Sequence, residues 1–183
     1  MLGRIKAFHT FPGIVMHELV QQICCWLCRM PVFKVNYFHL DDLEGYVRYE
    51  RSNNPWKNLI VSMAPFFINT GLGMLITLPA YTNIFGFRYM RSMYDFFVFL
   101  CSLILYWIGL SVLMHAFPSI EDAEVLAECI LKNKEVKIFA KILAAPCVGF
   151  IYIGEIGGMF WLDLVYGILM SLVLPKLTGI LVF

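Results

Sequence analysis

The amino-acid sequence predicts an all-α polytopic membrane protein with about four or five transmembrane helices and a small β-hairpin after the first. Three observations point there. The 183 residues are 60% hydrophobic and 15% charged, with a mean hydropathy of +0.74. Soluble domains carry about 25% charged residues, so here the charges are too few to coat a surface and the apolar residues too many for one core. Apolar blocks recur at lengths close to the roughly 20 residues that a helix needs to cross about 30 Å of hydrocarbon. Between the first two blocks, polar and apolar residues alternate with the period of a strand.

The first predicted helix covers residues 8–30. Arg4 and Lys6 precede it, as in a signal peptide. His17, Glu18, Gln21 and Gln22 interrupt the apolar run, however, and no small-residue cleavage site follows, so it reads as a helix of the mature protein. Residues 32–50 read as the hairpin, with alternating arms around the turn-like Asp41-Asp42-Leu43-Glu44-Gly45. The second helix, residues 59–85, contains Pro65 and Pro79 and is expected to kink. Its Gly71 and Gly73 suit close helix packing. The third helix, residues 94–117, opens on Asp95, a carboxylate suited to a helix N-terminus. Residues 121–137 are the most charged stretch and predict an amphipathic helix lying on the surface. The last block, residues 138–183, is too long for one crossing. It reads as a helix or helical hairpin broken at Gly157-Gly158. Trp56, Trp107 and Trp161 suit interfacial belts or packing.

A net charge of +1 gives no basic patch for nucleic acid, so the expected partner is the lipid bilayer. Cys25 and Cys28 have C-x-x-C spacing but sit in an apolar helix, where they read as small apolar residues. Lys and Arg counts orient the chain. Arg29, Lys34, Arg48, Arg51, Lys57, Lys132, Lys134, Lys137 and Lys141 fall on the hairpin side, against Arg4, Lys6, Arg88 and Arg91 opposite. The hairpin face is expected to be cytoplasmic, with the cell membrane as the location.

Ionisable residues inside a membrane segment usually mark function. His17-Glu18-Leu19-Val20-Gln21 has the spacing of H-E-x-x-H, in which two imidazoles one turn apart grip a metal and the Glu serves as general base. Gln21 stands in place of the second His. On this pentad alone, a polar stripe facing neighbouring helices is an equally good reading. Further along, the second helix contains Ala64-Pro65-Phe66-Phe67-Ile68-Asn69. His115-Ala116-Phe117-Pro118 ends the third, with Asp122 shortly after.

In order and spacing, these motifs resemble the site-2 protease family of intramembrane zinc metalloproteases. In that family an H-E-x-x-H helix is followed by a β-hairpin, a G-P-x-x-N-like helix and a helix ending in N-x-x-P before an aspartate ligand. The resemblance implies zinc as cofactor and a membrane-spanning segment of another protein as substrate or client. It implies metal ligands at His17, at Asp122 and, in place of histidine, at Gln21. It implies Glu18 as the base that deprotonates a metal-bound water, His115 in the place of the family's Asn as a transition-state hydrogen-bond donor, and Asn69 as a substrate-binding residue. Two departures stand out. An amide oxygen is a poorer zinc ligand than imidazole, and no L-D-G triplet surrounds Asp122. A natural pseudoenzyme, an engineered change at position 21 and a site completed by His115 or His39 all stay open. So does a non-catalytic scaffold that binds a transmembrane partner. The site also depends on depth: a first helix starting near Arg4 brings His17 to the hairpin-side half, whereas a start at Pro12 is expected to pull it away from His115. Asp163, with five crossings, is expected near the opposite face.

Overall fold

In the computed structural model, which describes residues 9–38, 45–86 and 92–179, the apolar blocks are helices. The tip of the hairpin with His39, and the charges Arg4, Lys6, Arg88 and Arg91, lie outside the described residues. Helix α1 spans Phe11–Leu27, with Pro12 in its first turn, where a missing N–H costs nothing. Arg29 then takes a left-handed conformation (φ 55°) and turns the chain out of the helix. Strands β1 (Val32–Asn36) and β2 (Tyr46–Tyr49) pair antiparallel, with an irregularity between Val32 and Lys34. Helix α2 (Pro55–Gly86) runs unbroken through Pro65 and Pro79. Helix α3 (Met93–Met114) starts on a capping box of Ser92 and Asp95. Helix α4 (Ile120–Leu126) continues as a π-helical turn, Ala127–Leu131. Helices α5 (Ile138–Met159) and α6 (Leu162–Leu177) meet at a corner where Trp161 is left-handed (φ 62°).

Among the described residues, three helices are long and apolar enough to cross a membrane: Pro55–Phe85, Met93–Met114 and Ile138–Gly158. Only 28%, 28% and 22% of their apolar windows are buried inside the protein, so most of that surface faces outward, consistent with lipid as solvent. Helices α1 and α6, at 17 and 16 residues, fall short of the roughly 20 that a straight crossing needs.

Small residues set the helix spacing. A Cβ at Gly73 would lie 2.5 Å from the Leu113 side chain, and one at Gly109 would lie 2.6 Å from Thr77, so α2 and α3 pack closely there. Gly71 faces open space instead. Helix α1 lies parallel to α3. The Gly13 amide donates to Ser111 Oγ at 2.8 Å, and that hydroxyl donates to the Thr10 carbonyl at 2.8 Å. The two helices are staggered, so the C-terminal end of α3 meets the middle of α1. This corrects the expectation about depth: a helix starting at Phe11 still brings His17 beside His115.

Helix α6 returns antiparallel along α3. Tyr166 packs edge-on against Phe117, with ring centres 4.9 Å apart, and the hydroxyls of Ser171 and Tyr106 are hydrogen-bonded at 2.9 Å. Asp163, in the first turn of α6, therefore stands toward the α3 end that carries His115 and not at the opposite face. Helix α4 and its π turn bury Ala123, Leu126 and Ile130 against Ala140, Ala144, Val148 and Ile151 of α5, so the apolar face of the charged stretch is covered by protein. A second core joins Val20, Cys24 and Cys25 of α1 to Val61 of α2.

Candidate functional site

The site lies where the end of α3 meets the middle of α1 and α2. Gly13 allows this approach, since a Cβ there would sit 2.1 Å from the Ser111 carbonyl oxygen. One turn further along α1, His17 is buried and its Nδ1–H donates to the backbone carbonyl of His115 at 2.8 Å. A carbonyl only accepts, so this bond assigns the tautomer and leaves Nε2 with its lone pair. Metal-ligating histidines are held in the same way. Asn69 of α2 is fully buried, and its Nδ2 approaches the same carbonyl at 3.5 Å. Its Oδ1 makes no hydrogen bond among the described residues.

His115 thus joins the site through its backbone. Its ring donates from Nδ1 to the Ser111 carbonyl at 3.2 Å, and its Nε2 lies 3.5 Å from Thr10 Oγ1. The ring is directed back along α3, away from the place expected of a transition-state donor or a metal ligand. The reason is the break in α3 immediately before it, which leaves the preceding turn as the nearest acceptor.

Gln21 lies one turn beyond His17 on the same face. Its Nε2 donates to Asp122 Oδ1 at 2.8 Å, and both groups are buried. Asp122 is positioned by its own helix. Its Oδ2 accepts from the Ser119 amide at 3.1 Å and the Ser119 hydroxyl at 3.2 Å, while the Asp122 amide donates back to Ser119 Oγ at 3.3 Å. Burial pushes the Asp122 carboxyl up to about 7, against the pull of the Ser119 hydrogen bonds. Ser119 has no place in the family resemblance, but S-x-x-D at residues 119–122 is a recognisable capping signature that marks it. Ser119→Ala is expected to cost about 1 kcal/mol and to loosen Asp122; thermal unfolding in detergent measures it.

Glu18, beside His17, is half-buried. Its Oε2 has no hydrogen-bond partner among the described residues, and the carboxyls of Asp122 and Glu121 are its charged neighbours. The hairpin closes over it: a Cβ on Gly45 would lie 2.6 Å from Glu18 Cγ and 2.8 Å from the Tyr37 carbonyl. The Tyr37 hydroxyl donates to Gln22 Oε1 and ties the hairpin to α1.

Among the described residues, no three His, Cys, Asp or Glu side chains are placed to hold a metal ion. The donor set explains this. His17 is presented as a ligand and Asp122 is at hand, but the position between them is an amide whose N–H already occupies the Asp122 oxygen. These residues do not fit zinc.

Residues 10–136, more than two thirds of the chain, match the sequence profile of the DUF3267 family, described as "Putative zincin peptidase". No curated protein and no solved structure matches the chain.

Proposed function

The chain belongs to this family of putative zincin peptidases, and on that premise we propose that it is a site-2-protease-like membrane protein that holds membrane-embedded segments of other proteins without cutting them. One observation carries the reading: Gln21 donates to Asp122 Oδ1 at 2.8 Å in a buried pair, where a zincin needs two ligands converging on a metal. Outward-facing apolar helices support the membrane setting, with the hairpin side cytoplasmic by its excess of Lys and Arg. The two-stranded sheet beside Glu18 offers backbone donors and acceptors to an extended segment, which can bind by adding a strand.

A second reading is an active intramembrane zinc metalloprotease. It draws on the tautomer of His17 and the unpartnered carboxyl oxygen of Glu18, the arrangement expected of a ligand and a base. Elemental analysis of the purified chain, with a cleavage assay on transmembrane segments in the same nanodisc, separates the two. The non-catalytic reading expects trace zinc and intact segments that co-purify. About one zinc per chain, with cleavage lost in Glu18→Gln, would establish the protease and end the non-catalytic reading.

A further inference from the structure

We propose that the groove where α2 and α5 begin binds the headgroup of an anionic phospholipid. The groove is a cavity of about 550 Å³ lined by Asn53, Trp56, Asn133, Glu135, Lys137 and Phe139. It lies well along α2 from Asn69, outside the site described above. Its wall is the tilted pair of Trp56 and Phe139, with ring centres 6.3 Å apart. Both rings are exposed, and the exposed side chains of Ile60, Ile138 and Ile142 carry the apolar surface onward along the two helices.

Chemistry changes across this groove. On one side are the starts of two helices apolar enough to cross a membrane. On the other is the loop that carries Lys132, Lys134 and Lys137, with Lys141 one turn into α5. Residues 132–141 hold four lysines and one acidic residue, Glu135; of these Lys137 and Glu135 line the groove, while the other three lysines flank it in the chain. The Lys137 ammonium and the amides of Asn53 and Asn133 suit a phosphodiester, the aromatic pair suits the glycerol backbone, and the isoleucines suit acyl chains. Basic pockets at the cytoplasmic ends of membrane helices bind anionic headgroups in this way, and tryptophan favours that depth. The proposal rests on the membrane-spanning reading and is independent of Gln21.

The test is native mass spectrometry of the full chain, delipidated in detergent and titrated in turn with dioleoyl phosphatidylglycerol, dioleoyl phosphatidylcholine and free glycerol 3-phosphate. Phosphatidylglycerol adducts are expected to persist where phosphatidylcholine adducts do not, and Lys137→Glu is expected to cut that preference about tenfold. Because Lys137 is exposed, this variant leaves the core untouched. The chain has three other tryptophans, so the component of the quenching by brominated phosphatidylglycerol that is lost in Trp56→Phe, and is larger than with brominated phosphatidylcholine, places the lipid at this groove. Equal retention of the two lipids, or a preference unmoved by Lys137→Glu, overturns the proposal. Glycerol 3-phosphate binding as well as the lipid does so too, since it would make the groove a site for a soluble phosphate. Zinc content is unaffected by either variant, so the outcome is separate from that of the proposed function.

Discussion

Gln21→His is expected to purify with about one zinc per chain, and the chain as it stands with only a trace. The substitution removes the amide N–H from Asp122 Oδ1 and puts an imidazole in its place, one turn from His17 on the same helix face. His17 needs no rearrangement, because its Nδ1–H is already held by the His115 carbonyl. His17, the new imidazole and the Asp122 carboxylate would then be the residues to hold the ion, the three-ligand set of an open zinc centre. The readout need not be activity. With zinc at about a hundredfold its Kd, binding stabilises the folded chain by about 2.7 kcal/mol. A thermal shift that appears in Gln21→His, vanishes with chelator and is absent from the parent is therefore expected. A Gln21→His chain that folds and stays free of zinc would show that His17, position 21 and Asp122 do not form the centre.

Gly13→Ala is expected to destabilise the protein by about 3 kcal/mol. The added methyl meets Ser111 O at 2.1 Å and Ser111 C at 2.6 Å, both backbone atoms that no rotamer change can move. Helices α1 and α3 must separate, which strains the Gly13–Ser111 and Ser111–Thr10 hydrogen bonds and then the contact from His17 to His115. Alanine's better helix propensity returns at most about 1 kcal/mol. Gly71→Ala provides the comparison: with nothing within 4 Å, only the propensity gain remains, and that variant should be neutral or slightly stabilised. Equilibrium unfolding of both in the same detergent checks the pair. Similar midpoints would mean that the α1–α3 seam is looser than its geometry.

Much of this arrangement can be read from the residues, because local patterns specify it. The long helices follow from apolar runs and the hairpin from alternation either side of residues 41–45. The H-E-x-x-Q spacing puts His17 and Gln21 on one helix face, while Asp122 follows from the family resemblance alone. Element ends are less legible. Helix α3 stops at Met114, short of residue 117, because the residue before Pro118 is steered away from helical geometry. The corner between α5 and α6 falls at Trp161 and not at Gly157-Gly158, since Gly157 stays helical and packs against Leu162. What no local pattern carries is the long-range pairing. The Gln21–Asp122 bond joins residues 101 positions apart. The stagger of α1 against α3 depends on the Gly13–Ser111 contact, and the direction of the His115 ring depends on which carbonyl the end of α3 leaves near it.

The cap that Asp122 forms with Ser119 bears on how such a centre can change over evolutionary time. In many metal sites the ion holds its ligands together, and losing it scatters them. Here the aspartate is oriented by the folding of its own short helix, so its position does not depend on any ion. Codons for histidine and glutamine differ at a single base, and the glutamine side chain reaches the waiting carboxyl without disturbing the backbone. On the proposed reading, a single base change at position 21 would therefore separate a zinc-free form of this site from one offering a second imidazole, with the Asp122 cap in place in both.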